Sequence, residues 1–398
     1  MLVVAQASAL QSFLEICDVD DDKLRERGLW RQLSVVEALR GTEVRIGGRW
    51  LVCWCTNDYL GLSTHPSVIR AAQTAARRWG VGARASRLLA GTTAIHRDLE
   101  EKLARWFGAE AALVYPSGYL ANLGVLTALA GPNDTIVVDR LAHASLIDAC
   151  RLSRARLRVF QHNDPDHLAH VLSRLGGSGR RVVVTEGLFS MDGDVAPLEP
   201  LRQIAEEHEA LLYIDDAHGA FIVGRRGRGS PEAAGVPHDA TIYMATLGKA
   251  LGAQGGFVIG SQRFIDWLRN RSRPFIYATA LATPVAAAAS AALDVLARQP
   301  SLRRRLAEHA ARLHRGLTKA GLRPRAAGTH ICPVILGSSA RVVAVSQRLH
   351  ALGHFAPAIR PPTVPEGTAR LRLSVSASHT ARQIDGLIDA LQETCRDA

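Results

Sequence analysis

Between about residues 57 and 296, seven short, mostly apolar runs alternate with segments of helical character. The runs are 111–115, 135–138, 156–160, 181–185, 210–214, 240–244 and 256–259. Val182-Val-Val184 is apolar at every position rather than at every second one. Such a strand has both faces buried, which calls for helices on both sides of a sheet. The pattern predicts an α/β fold whose large domain is a mostly parallel sheet. Beyond 296 the character changes. Helices over 301–320, 341–352 and 381–395, with strands at 333–336 and 369–373, predict a smaller α+β domain. Before 57, an amphipathic helical segment over 12–40 and a hairpin over 43–55, turning at Gly47-Gly48, form an N-terminal piece. The expected division is 1–56, 57–296 and 297–398.

In open α/β sheets, ligands lie beyond the carboxyl ends of the strands. Polar residues cluster at five of those ends. Ser117, Gly118 and Tyr119 follow the first run, and His143 follows the second at a short distance. Glu186 and Ser190 follow 181–185, Asp215 and His218 follow 210–214, and Thr246 and Lys249 follow 240–244. Any one could be loop decoration. Five together outline a cofactor site.

Lys249 stands out because lysine is scarce. Of 48 basic residues only Lys23, Lys102, Lys249 and Lys319 are lysines. Lys23 and Lys102 sit in charged helical runs, and Lys319 precedes Gly321 near a helix end, where a cation is ordinary. Lys249 instead follows Met244-Ala-Thr246 and precedes small residues and glycines. A lysine without solvent can lose its proton and attack a carbonyl; arginine cannot. The other residues then take roles. The amides at Ser117-Gly-Tyr119 open a helix and can hold a phosphate, or they are an ordinary helix start. Thr246 can add a hydroxyl. Asp215 ends an apolar strand, where a carboxylate is costly unless paired. A pyridinium nitrogen is a suitable partner, and keeping it protonated makes the ring an electron sink; capping or an ion pair is the plainer alternative. His218 would lie near the ring's phenolic oxygen, and His143 would stack on the ring. Together these residues describe a site for pyridoxal 5'-phosphate.

The net charge of +11 raises the question of nucleic acid. The densest basic run, Arg303-Arg304-Arg305, is short and has no aromatics interleaved, so no nucleic-acid partner is expected. An anionic metabolite such as a coenzyme A ester is the more economical reason for a positive cleft. The six cysteines form no C-x-x-C pair and lack metal-type spacing with histidine, so no metal is expected and a reducing compartment is. The N-terminus lacks the basic start of an export signal, and the alanine-rich stretch 280–297 is too weak to span a bilayer. A cytoplasmic location follows, with no membrane partner.

The stretches Asn57-Asp-Tyr-Leu-Gly-Leu62, Gly91-Thr-Thr-Ala-Ile-His-Arg-Asp-Leu-Glu100, Thr185-Glu-Gly-Leu-Phe-Ser-Met-Asp-Gly-Asp194, Asp215-Asp-Ala-His-Gly219 and Thr246-Leu-Gly-Lys249 resemble the α-oxoamine synthases over nearly the whole chain. These are fold-type I pyridoxal phosphate enzymes that condense an amino acid with an acyl thioester. Within the family, Ala358-Ile-Arg-Pro-Pro-Thr-Val-Pro-Glu-Gly-Thr-Ala-Arg-Leu-Arg-Leu373 looks most like the members that use L-alanine and a pimeloyl thioester. The resemblance implies a homodimer with shared active sites. It makes Lys249 the Schiff-base lysine and the base for the α-proton, with Asp215 on the ring nitrogen, His218 on the phenolic oxygen and His143 on the ring face. Glu186 and Ser190 support the ring. Gly118, Tyr119 and Thr246 hold the phosphate, and Thr279 reaches the phosphate of the neighbouring subunit. Arg370 grips the amino-acid carboxylate, and Asn57 and Arg31 lie on the substrate side. Ser86 stands where glycine-restricted relatives tend to carry threonine, so room for a methyl group and a preference for alanine are expected.

Overall fold

The computed structural model describes residues 2–322, 324 and 328–396. Its centre is a seven-stranded sheet. In spatial order the strands are Ala111–Tyr115, Gly256–Gly260, Ile242–Thr246, Ala210–Asp215, Arg181–Glu186, Thr135–Asp139 and Arg156–Phe160. All neighbouring pairs from Ile242–Thr246 to Arg156–Phe160 are parallel. Gly256–Gly260 alone runs antiparallel to both its neighbours. This is the mixed, mostly parallel sheet expected of the fold class.

The apolar run at Val182-Val-Val184 shows why helices cover both faces. All three side chains are fully buried. Val182 and Val184 pack into one apolar cluster with Val125, Leu126 and Leu146, while Val183 packs into another with Phe160, Leu168 and Leu201. Successive side chains point to opposite faces of a strand, so each face needs its own helical cover. Each such burial contributes about 1.5–3 kcal/mol.

Two smaller sheets flank the large one. Ile331–Gly337, Ala369–Ser374 and Ala358–Ile359 form an antiparallel three-stranded sheet. The hairpin Glu43–Ile46 with Arg49–Cys53 turns on Gly47 and Gly48, both at positive φ, the backbone a two-residue hairpin favours. Its outer strand pairs with Ala38–Arg40, and its inner strand pairs in parallel with His354–Phe355. Trp54, fully buried, joins the two ends of the chain: it stacks on His379 at 4.2 Å and donates to His354 Nδ1 at 3.1 Å.

The first helix is Leu2–Glu26, not a segment over 12–40. Gly28 adopts φ +62° and its amide bonds back to Arg25, the ordinary glycine stop of a helix. The chain then runs irregularly to Ala38. Lys102 is also more engaged than a surface charge: it donates to Ser290 and Asp294 at 2.8 Å each, joining two helices. Among the described residues no helix is long and apolar enough to cross a membrane.

Candidate active site

Lys249 lies on a tight loop between two strands of the large sheet. Leu247 N bonds to Gly255 O at 2.9 Å and Ala253 N to Leu247 O at 3.0 Å, so the loop closes on itself. Gly252 makes this possible. It has φ +60°, and a Cβ there would stand 2.3 Å from Ser63 N. The lysine is half-buried, and its Nζ lies 2.7 Å from His218 Nε2. Burial lowers its pKa to about 8, with Asp215 and Glu186 pulling the other way. A larger share of neutral amine than an ordinary lysine carries is thereby available near neutral pH.

His218 is buried, and the same burial, together with the positive charges of Lys249 and Arg372, pushes its pKa well below the usual histidine range. A neutral ring needs one donor and one acceptor. With Lys249 donating to Nε2, Nδ1 carries the proton and donates to Tyr59 Oη at 2.7 Å. Tyr59 Oη donates in turn to Asn57 Oδ1 at 3.0 Å and accepts from Arg372 Nη2 at 3.1 Å. Each hydrogen bond in this chain then has one donor and one acceptor, an assignment that sets the histidine tautomer.

A second chain runs under Asp215. Tyr213 Oη donates to Asn122 Oδ1 at 2.6 Å, and Asn122 Nδ2 donates to Asp215 Oδ2 and to Ser145 Oγ, both at 2.8 Å. Ser145 Oγ lies 2.7 Å from His143 Nδ1, which also accepts the Ser145 amide at 3.2 Å. His143 caps the helix Ala144–Leu152 and leaves its ring exposed. Its backbone amide donates to Glu186 Oε1 at 2.8 Å. Glu186 is buried; that burial and the nearby Asp215 push its carboxyl well above the usual range. Its other oxygen accepts from Ser190 N at 3.3 Å.

The helix Gly118–Leu129 starts beside this cluster. Ser117 caps it, accepting from Leu120 N at 3.1 Å. A Cβ on Gly256 would come within 2.6 Å of Gly118 Cα, so glycine is required there for strand and helix to meet. A Cβ on Gly118 would lie 3.6 Å from Thr246 Oγ1, placing Thr246 beside the helix start. The Thr246 hydroxyl donates to Gly255 O and accepts from Gly248 N. Tyr119 is exposed and donates to Asp148.

These residues fit pyridoxal phosphate by their donor set. A helix N-terminus with a serine cap would suit an anion, a half-buried amine of lowered pKa would suit an aldehyde, and a buried carboxylate braced by an asparagine would suit a ring nitrogen. His143 offers an exposed ring to stack. Other expected residues lie elsewhere. Among the described residues no hydrogen bond joins Ser86, Thr279 or Arg31 to Lys249, Asp215 or His218. Ser86 and Thr279 pair with each other in an isolated bridge. Arg31 is exposed, 3.5 Å from Thr363 Oγ1, and lines a separate groove of about 860 Å³ with Trp30, Phe355 and Arg360. Arg370 is buried but committed: Nη1 binds Asp192 Oδ1 at 2.8 Å and Met191 O at 3.2 Å. Its neighbour on the same strand face, Arg372, is the arginine whose charge reaches Lys249, His218 and Tyr59.

Tyr59, Asn122, Arg372 and His330 are the residues that reading by motif passed over. Asn122 sits four residues after Gly118, on the same helix face, and that spacing was the available signal. His330 is buried with its ring 4.1 Å from Tyr59; burial and the charges of Arg372 and Lys249 lower its pKa to about 3. Nothing in its local sequence marked it.

Comparison with known proteins places this geometry. The model of the family "Aminotransferase class I and II" matches residues 50–391. The chain is 47% identical over 376 residues to an 8-amino-7-oxononanoate synthase of Anaeromyxobacter dehalogenans (strain 2CP-1), covering 94% of each. It is 45% identical over 371 residues to the 8-amino-7-oxononanoate synthase of Geobacter sulfurreducens, covering 93% of this chain and 95% of that one. Among solved structures, serine palmitoyltransferase from S. paucimobilis with a bound PLP–myriocin adduct superposes with TM-score 0.92 at 32% identity, over 98% of both chains.

Proposed function

The chain belongs to the aminotransferase class I and II family and to its α-oxoamine synthase branch, and on that premise we propose that it condenses L-alanine with a pimeloyl thioester to 8-amino-7-oxononanoate, with loss of carbon dioxide and release of the thiol. The reaction belongs to biotin biosynthesis. The observation that carries the reading is Lys249, of lowered pKa, hydrogen-bonded to a neutral His218 in a chain 47% identical to a synthase of that name. The structural likeness to serine palmitoyltransferase is high in shape, but the identity is 32%. The overall fold is common to the branch; the alanine and pimeloyl assignment rests on the closer sequence match.

Pyridoxal phosphate, when bound, supplies the electron sink for removing the α-proton and the carboxyl group of the amino acid. Ser117, Gly118, Tyr119 and Thr246 hold its phosphate from this chain, and Thr279 does so across the dimer. Asp215, braced by Asn122, pairs with the ring nitrogen. His218 serves the phenolic oxygen, His143 covers the ring, and Glu186 and Ser190 set His143 and the adjoining hairpin. Lys249 Nζ takes the α-proton and later returns one. Arg372, anchored by Tyr59 and Ser190 O, grips the substrate carboxylate in place of Arg370, which Asp192 occupies. Asn57 orients Tyr59; Arg31 and Ser86, which lie apart from this cluster in one subunit, would come to the substrate side only in the dimer.

Residues 57–296 act as the cofactor-binding unit, 297–398 as the small domain and 1–56 as an N-terminal arm, all in the cytoplasm. A homodimer is part of the reading. Val81, Leu88, Leu89 and Tyr277 are 55–82% exposed around the Ser86–Thr279 bridge, a surface a second copy would cover. The test is to supply carboxyl-labelled L-alanine with pimeloyl-CoA. Labelled carbon dioxide and thiol should appear one for one, and neither with Lys249→Ala. Thiol release without labelled carbon dioxide would overturn the proposal.

A further inference from the structure

His162 stands outside the site just described, yet two of the site's loops meet on it. Its Nδ1 lies 2.9 Å from Asp139 Oδ1 and its Nε2 lies 2.8 Å from Asp194 Oδ2. Both ring nitrogens face carboxylates, so both carry protons and the ring is a cation. Burial opposes that charge, but the two carboxylates outweigh it and push the pKa up to about 10. The ring also packs edge-on against Phe189 at 4.4 Å.

The two carboxylates belong to different loops. Asp139 is fully buried at the end of its strand and accepts from Leu141 N at 2.8 Å, which sets the turn leading to His143. Asp194 closes the narrow hairpin joined by the Leu188–Val195 bridge, and Phe189 N bonds to Asp194 O at 2.9 Å. The tip of that hairpin carries Ser190, whose carbonyl accepts from Arg372 Nε. Asn163 repeats the link, its amide donating to Asp139 Oδ2 at 3.0 Å and its side chain to Asp194 Oδ2 at 2.9 Å.

We propose that His162 is a positioning residue for the condensation: as an imidazolium clasped between Asp139 and Asp194, it locks the turn bearing His143 to the hairpin bearing Ser190, and so holds Arg372 in register for the amino-acid carboxylate. The clause about Arg372 rests on the function proposed above; the clasp between the two loops does not.

The experiment uses the full-length, cofactor-loaded protein. His162→Phe keeps the packing on Phe189 and removes both donors; Asp194→Asn, a milder change, serves if His162→Phe does not fold. Exposed His170, on the following helix, gives a control in His170→Gln. Hydrogen exchange of the peptide over 187–195 should quicken about tenfold, the loss expected of one charged hydrogen bond. The affinity for L-alanine, read from the visible absorbance of the bound cofactor, should weaken about tenfold through the same bond, with cofactor affinity unchanged. Unchanged exchange at 187–195 would overturn the proposal. So would faster exchange spread over the whole sheet with cofactor lost in parallel, because that marks a merely structural residue. If the wild-type protein binds no L-alanine, the function proposed above fails, while the exchange result still decides whether the clasp exists.

Discussion

Asp215, His218 and Lys249 lie at or just beyond the carboxyl ends of sheet strands, His218 hydrogen-bonded to Lys249 and the charge of Asp215 reaching the lysine, whereas Ser86 and Thr279 lie on a bridge among exposed apolar residues and, among the described residues, hydrogen-bond to none of the three. The floor of the site is assembled by topology: a parallel sheet with helical crossovers brings its strand ends together whatever the loops do. In the proposed homodimer the rim would be assembled by association, a second copy bringing residues of an exposed segment to the reacting centre. Floor residues should therefore govern whether chemistry occurs, and rim residues which substrate enters and how well.

Lys249→Ala should sharpen that division most. Losing the proton-transferring amine should cut turnover by on the order of 10²–10⁴-fold or more, while the melting midpoint changes little; retention of activity would break the account of the floor. Next comes the arginine pair. Arg372→Ala should raise the alanine KM by roughly 10–100-fold, the value of hydrogen bonds to a charged group. Arg370→Ala should instead lower the melting midpoint, because it strips Asp192 of a buried partner. A steady-state comparison of the two with thermal unfolding of each would detect an exchange of roles.

A pH series probes the floor more gently. The pKa of Lys249 is lowered to about 8, so the neutral amine fraction of cofactor-free protein rises as pH climbs through that value. The rate of pyridoxal phosphate uptake, followed by absorbance, should rise with it and level off above. For His162 the sign is opposite. Its folded pKa is raised, so the stability it contributes is full below its ordinary value near 6.5 and is lost as pH rises toward about 10. Denaturant midpoints of wild type should fall over that window more than those of His162→Phe. The smallest effect belongs to the rim. Ser86→Thr should shift preference from alanine toward glycine by about 1–3 kcal/mol, the reach of a methyl-sized contact, measured as the ratio of kcat/KM values.

The contrast also explains what the sequence made legible. The floor could be read because each of its residues follows an apolar run by a short, countable interval, and Lys249 was conspicuous among four lysines. The fold class followed from the fully apolar Val182-Val-Val184, whose burial on both faces demanded two helical layers. Arg370 and Arg372 were not separable. They are two residues apart on one strand, on the same face, and only the placement of Asp192 decides which one already has a carboxylate partner. Tyr59 and His330 were hidden for another reason: their importance lies in contacts made across 159 and 42 or more positions of chain, which no local pattern encodes. The first helix both starts and ends earlier than the expected 12–40; Gly28, at positive φ, is the stop that places its end.

The most direct test of the central claim is thiol release by the cofactor-loaded protein, with L-alanine, L-serine or glycine offered against pimeloyl-CoA, palmitoyl-CoA or acetyl-CoA. Release with L-alanine and pimeloyl-CoA, well above every other pair and absent in Lys249→Ala, is the predicted result. Release highest with L-serine and palmitoyl-CoA would contradict it and would mean that the structural likeness, rather than the closer sequence likeness, had tracked the substrate.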